Sequence, residues 1–476
     1  MFRTFFSNLL FEIRQRKENP AGQLSSIEPY LLKSRPWFLF FIIGIFLTTL
    51  IPPLQSPDEQ AHLERAYLLS KGIITFKTLQ GVGSGGYVDT GLIEFNRLWL
   101  DLPFNRRKKV DSSLIEIAQS LHWTRTEEFV PVFSSSSFPL IYLPGALAIW
   151  IGRKLDLSIY NTYFLVRFST MVVSLATIAF ASFLHPLNFL SIFILILPMS
   201  VFQFATFNAD GVSYALSILV ISLAIRFLSK EEGEQSWMIF ILTACIFVLI
   251  ASKWQFTPLA FLLLLLWWVK RSKKYLLVLV LVMLGLLIWV NYVLANYVDL
   301  RMVRETNVQD ILLHYLSHPQ NAIGIVWNTL TSERLMKFYR YSFIGALGWL
   351  DTRFHPLYYD IASFFLVAIA ICTLSLNEIR KDFRLRTAFL LISLSIVMLI
   401  FLAMLINWSP FPASTIKGIQ GRYFTVPLLL FSYVLSGTKP RYPFAIRTFV
   451  YLLFGIFITL SSFLMVRLLL VRYLIQ

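Results

Sequence analysis

Apolar runs recur along this chain, separated by prolines, glycines and short basic stretches; most approach the length that crosses a bilayer, and those near Trp237 and Phe256 are short. The clear candidates are Pro36–Leu54, Tyr160–Leu184, Leu187–Phe207, Val212–Leu228, Trp237–Ser252, Phe256–Val269, Tyr275–Tyr297, Tyr359–Leu376, Thr387–Ile406, Tyr423–Leu435 and Thr448–Val466. The whole chain is 57% hydrophobic and only 14% charged, more apolar surface than one soluble core could cover. The solvent for most of it is lipid.

The net charge of +16 would suit a nucleic-acid partner, but the basic residues sit in short runs between apolar segments, which excludes nucleic acid in favour of positive-inside loops. Cys245 and Cys372 both lie inside apolar segments, so no disulfide framework is expected. The N-terminal "MFRTFFSNLLFEIRQRK" is too charged for a secretory signal and reads as an interfacial amphipathic helix before an uncleaved first span.

One segment is ambiguous. "FPLIYLPGALAIWIG" (Phe138–Gly152) is short and holds two prolines. If it lies in the interface and the N-terminus is cytoplasmic, the three most basic short loops all face the cytoplasm. These are Val269–Lys274, Asn377–Arg386 and Gly437–Arg447. If it crossed, all three would face outward, against the strongest orientation signal available. The expectation is an all-α polytopic membrane protein with about eleven spans, N-terminus inside and C-terminus outside. Arg467 and Arg472 near the outer end fit this poorly. The divisions are a cytoplasmic amphipathic segment (1–35), a transmembrane core (36–297) carrying an extracytoplasmic loop (52–159), a second extracytoplasmic loop (298–357) and C-terminal transmembrane helices (358–476).

This topology sorts the polar residues, and whatever chemistry exists is expected outside. "SPDEQAHLERAYLLSKG" begins with Ser56 as N-cap and Pro57, then Asp58 and Glu59 in the first turn. Acids there suit the helix dipole in any protein, but a carboxylate pair at a membrane surface also suits a general base or a cation site. His62 and Arg65 follow on the same helix. "FNADGVSYA" returns Asn208 and Asp210 to the same side, although Asn-Ala-Asp-Gly is also an ordinary turn. Lys253 lies between two short spans on that side, and Arg422 opens another. An arginine at a helix N-terminus opposes the dipole and calls for an anion, or snorkels to lipid phosphate. His314 and His318, four apart, could bind a metal, but no third ligand is near in sequence. There is no P-loop, dinucleotide glycine motif, serine-nucleophile elbow or Cys/His zinc spacing.

Five stretches together resemble a known arrangement: "PPLQSPDEQAHLERAYLLSKG", "FPLIYLPGALAIWIG", "LPMSVFQFATFNADGVSYA", "FIGALGWLDT" and "GIQGRYFTVPLLL". The chain resembles the C-type glycosyltransferase (GT-C) superfamily, and more closely a bacterial family long catalogued as a domain of unknown function. The resemblance implies a large first outer loop with an acidic motif, interfacial helices before the second span, and an outward active site using polyprenyl-phosphate-linked sugars. It points to Asp58, the first acid of the motif, as the catalytic carboxylate, with Glu59 beside it positioning acceptor or cation. His62, Arg65, Asp210, Lys253, Trp349, Asp351, Gln420, Arg422 and Tyr423 become substrate-binding candidates. If a divalent cation (Mg or Mn) takes part, Asp58 and Asp210 are its candidate ligands, although the second acid motif is reduced here to one carboxylate.

The expected activity is inverting transfer of a sugar from the lipid-phosphate donor to a hydroxyl on a glycan or lipid acceptor, at the outer face of a bacterial inner membrane. Membrane lipids are then its surroundings. The alternatives are a lipid-linked glycan polymerase or ligase, and a transporter or flippase. The latter would line its path with charge near the midplane, where only Arg167 lies.

Overall fold

A computed structural model describes residues 42–134, 136–228, 236–301, 306–374, 383–436 and 443–475. The expected amphipathic segment 1–35 and parts of the basic loops 377–386 and 437–447 lie outside the described residues. The chain is mostly helical. Among the described residues, six helices are long and apolar enough to cross a membrane: Ile159–Leu184, Ala209–Leu228, Lys273–Asn296, Pro356–Thr373, Phe383–Asn407 and Phe444–Tyr473. Ser236–Ser252 and Trp254–Lys270 are shorter and apolar, and they are separate, with Lys253 in an extended conformation between them.

Two expected spans are interrupted, each for a local reason. The run 187–207 forms Phe189–Ile196 and then Pro198–Ala205. Pro198 lacks the N–H that would continue the first helix but is well suited to open the second. The run 423–435 begins one turn early, as a tight 3₁₀ turn Gly421–Phe424 that leads into Thr425–Ser436. Gly421 is required there. A Cβ would strike the backbone of Tyr339 and Phe343, so this turn lies directly against helix Glu333–Ile344.

The segment 52–159 also carries a few short strands within an otherwise helical chain. Lys77–Leu79, Gly83–Asp89 and Glu127–Pro131 form an antiparallel sheet with Gly83–Asp89 in the middle. Its glycines allow the close pairing, since a side chain at Gly85 would collide with Val130. The ambiguous segment becomes a 3₁₀ turn, Pro139–Tyr142, and helix Leu143–Lys154. Twelve residues reach only about 18 Å, too short to cross. Leu143, Leu147, Trp150 and Ile151 are exposed along one face of it. That is the pattern of a helix lying in an interface.

Helix ends converge on this loop. Ser84 N–H donates to Val298 O at 2.9 Å, just past Lys273–Asn296. At the end of the C-terminal helix, Val110 N–H donates to Tyr473 O at 2.8 Å, and Lys109 Nζ to Val471 O at 2.6 Å. Arg472, a poor fit to the expected topology, has a partner here: its Nη2 donates to Asp351 Oδ2 at 3.0 Å and to Leu102 O at 2.6 Å. Ala209–Leu228 is the most enclosed of the long helices, with 83% of its apolar window buried, against 22% for Lys273–Asn296. Asp210, in its first turn, is buried with it.

Candidate active site

Pro52 and Pro53 end the first apolar segment, whose described helix covers residues 42–50. The new helix is Glu59–Ser70, and its N-cap is Asp58 rather than the expected Ser56. Asp58 has a left-handed backbone (φ 63°), a conformation that Asp and Asn tolerate better than other side chains. Its carboxylate makes no capping hydrogen bond, and its side chain is 45% exposed. An N-cap aspartate normally commits its oxygens to the helix amides. This one is left available.

Glu59, its neighbour, is held quite differently. The side chain is 0% exposed. Arg167 holds it with two charge-assisted bonds, Nε to Oε1 at 2.9 Å and Nη2 to Oε2 at 3.0 Å. Tyr163 Oη, Phe207 N–H and Ser56 N–H also donate to it, at 2.7, 2.8 and 3.1 Å. The remaining donors of Arg167 go to Thr48 O, Ile51 O and Pro52 O. These are carbonyls at the end of the first helix, where Pro52 and Pro53 can supply no N–H. The Glu59–Arg167 pair thus ties the start of the Asp58 helix to the end of the first helix.

Around Asp58 the structure gathers residues from five distant stretches. Arg301 Nη1 lies 3.7 Å from Asp58 Oδ1. Its guanidinium is 4.3 Å from the Phe133 ring centroid and 5.3 Å from that of Trp408, and it also pairs with Asp299 at 2.7 Å. Asp210 receives Lys253 Nζ on one oxygen and faces Arg422 Nε at 3.3 Å on the other. Asn208 fixes that turn by accepting from the backbone of Asp210 and Gly211. His62 feels Asp58, Asp210, Lys253 and Arg422, and its Nδ1 lies 2.9 Å from Tyr142 Oη. Burial holds its imidazole down to about 4, against the opposing pull of the two aspartates, so at neutral pH it is an uncharged hydrogen-bonding group.

Arg65, one turn further on, is fully buried and donates from Nη2 to Ile74 O at 2.5 Å. Its Nε and Nη1 have no hydrogen-bond partner among the described residues. Burial lowers its guanidinium to about 10, which still leaves it cationic. Tyr423 packs beside Arg422, whose guanidinium is 5.6 Å from the tyrosine ring centroid. Gln420 leaves a buried Oε1 without a partner among the described residues.

Two sequence candidates fall outside this cluster. Asp351 is tied by Arg472 and by the Phe104 N–H at 2.9 Å, and it holds the C-terminal helix to the segment around Phe104. Trp349 donates from Nε1 to Leu54 O at 2.9 Å, bracing the chain just before Asp58. His314 and His318 stack at 4.9 Å, and no cluster of three metal-ligand side chains occurs among the described residues. Asp58 and Asp210 do not fit a divalent ion either. Both oxygens of Asp210 already face cations, and Asp58 lies beside Arg301. With Asp299 counted, three carboxylates, Asp58, Asp210 and Asp299, stand against three cations, Lys253, Arg422 and Arg301, so the cluster is balanced as it stands.

Arg301, Tyr142 and Trp408 are not among the sequence candidates. The pair Asp299 and Arg301, just after the apolar run 275–297, was the available signal.

A family model described as "Predicted membrane protein (DUF2142)" matches residues 39–432. The chain belongs to that family. No curated protein and no solved structure matches it. The DUF2142 region includes every residue of the Asp58 cluster.

Proposed function

We propose that this DUF2142 protein is a glycosyltransferase of the bacterial inner membrane, moving a sugar from a polyprenyl-phosphate carrier to a hydroxyl acceptor at the outer face. The observation that carries the reading is Asp58, a carboxylate placed as an N-cap, released from capping and set among cations. In the reaction the acceptor hydroxyl attacks the anomeric carbon as the bond from that carbon to the phosphate oxygen breaks. Asp58 takes the hydroxyl proton, and polyprenyl phosphate leaves with its charge met by Arg422, Lys253 and Arg301. Attack opposite the leaving group inverts the anomeric centre.

The same reading takes the apolar segments as about eleven spans with the Asp58 cluster outside. It is supported by the repeated return of helix ends to the first outer loop. A transporter is the rival, and its path would need ionisable groups free to change partners. Arg167, the deep cation, has all its donors committed.

Two measurements test this. In a protein with Cys245 and Cys372 replaced by alanine, Asn105→Cys should label from outside the cell with an impermeant thiol reagent, and Lys273→Cys only after the membrane is opened. Both positions are exposed. Labelling of both from one side would overturn the span assignment. Arg422→Ala should weaken binding of polyprenyl-phosphate sugar at least ten-fold, because a charge-assisted hydrogen bond contributes about 1.5–3 kcal/mol. Lysine at the same position should restore only part of this, since it lacks the planar fork. Unchanged donor affinity at an unchanged melting temperature would leave Arg422 as a partner of Asp210 alone.

A further inference from the structure

A second basic site lies apart from the Asp58 cluster. A cavity of about 580 Å³ opens between helix Glu333–Ile344, strand Thr352–Arg353 and the segment that leads to Arg422. Arg334, Lys337, Arg353 and Lys417 all line it. None of the four forms an ion pair among the described residues, whereas nearby Arg340 pairs with Asp360 at 2.9 Å. Rings position two of these cations: Lys337 Nζ lies 5.8 Å from the Tyr341 ring centroid, and the Arg353 guanidinium 5.8 Å from that of Phe338. Like charges repel, so four cations around one open cavity with no carboxylate in its lining are poised for a ligand carrying more than one negative charge. A phosphate monoester carries nearly two and offers oxygens that match the arginine fork.

The neighbouring helices indicate where that phosphate comes from. Val308–Ser317 and Pro319–Thr331 immediately precede the cavity helix. At 10 and 13 residues they reach about 15 and 20 Å, too short to cross a bilayer. Yet Leu313, Leu316, Ile323 and Trp327 are exposed on them. Short helices with exposed Leu and Trp, next to apolar spans, suit the membrane interface. Helix Pro319–Thr331 packs against the cavity helix, so the cavity borders this pair.

We propose that this cavity binds the phosphate of an anionic lipid, and that this lipid is the acceptor. The second clause rests on the glycosyltransferase reading, with the donor phosphate at Arg422 and the acceptor phosphate at Arg334, Lys337, Arg353 and Lys417. Lys417 is five residues before Arg422, so one connecting segment touches both sites.

The test is binding without turnover. Purified full-length protein in detergent is titrated with dioctanoyl phosphatidic acid, dioctanoyl phosphatidylcholine and inorganic pyrophosphate. Phosphatidic acid should bind saturably and phosphatidylcholine at least ten-fold more weakly, and pyrophosphate should displace the acidic lipid. Lys337→Ala/Lys417→Ala should weaken phosphatidic acid at least ten-fold at an unchanged melting temperature, and Arg422→Ala should not. Equal binding of the two lipids, or unaltered affinity in the double variant, would overturn the site. Saturable pyrophosphate binding with no lipid binding would overturn the lipid source in favour of a water-borne phosphate. Since no sugar is transferred in this experiment, failure of the glycosyltransferase reading would leave its result intact. Acceptor identity is then tested separately: the double variant should raise the KM for a phosphorylated lipid acceptor, with kcat and donor affinity little changed.

Discussion

Asp58→Asn should lower the rate of sugar transfer by about 10²–10⁴, with donor affinity and melting temperature close to those of the unaltered protein. The size follows from what general-base removal usually costs. The selectivity follows from the geometry of this residue. Asparagine tolerates the left-handed backbone that position 58 adopts, so the helix start is not strained by the change. No capping bond is lost, because Asp58 makes none. Its pairing with Arg301 at 3.7 Å is half-exposed and contributes little to stability. What disappears is the negative charge that accepts the proton. The assay is purified protein, polyprenyl-phosphate sugar and acceptor, with donor binding measured in parallel. A near-normal rate would mean that the proton goes elsewhere. Asp210 would then be tested next, although Lys253 and Arg422 both hold it.

Much of this site is legible in the amino-acid sequence, because lipid forces the chain to cross and return. Loop charge places Asp58, Asp210, Lys253 and Arg422 on one side, and the structure gathers those four around His62. Periodicity and charge could not tell Asp58 from Glu59. Both stand at one helix start, and their roles separate only because Arg167, 108 residues away, claims one of them. The same limit hid the partner of Asp351, since Arg472 lies 121 residues on. The sheet escapes notice because its central strand, "GSGGYVD", is glycine-rich and lacks the alternation that marks a strand. Long-range pairing of polar side chains leaves almost no local trace in the sequence. Apolar length leaves a clear one.

Arg167→Met should cost about 3–5 kcal/mol of stability, the usual result when one partner of a buried ion pair is removed. Here two losses coincide: Glu59 keeps a buried charge with no counter-ion, and Thr48, Ile51 and Pro52 lose the donors that close the first helix. Glu59→Gln should cost less. The amide can still accept from Tyr163 and Phe207, and Arg167 keeps its carbonyl partners, but the guanidinium is left uncompensated. The double variant Glu59→Met/Arg167→Met should recover part of the loss by removing both charges, and not all of it, because the three carbonyls remain bare. Thermal unfolding in detergent, read as loss of the monodisperse peak, of the unaltered protein, Arg167→Met, Glu59→Met and the double variant gives all four corners of the cycle. If Arg167→Met is as stable as the unaltered protein, the clamp does not hold the break between the first span and the Asp58 helix. Should Glu59→Gln keep its melting temperature and donor affinity yet lose transfer, Glu59 would return to the reaction itself.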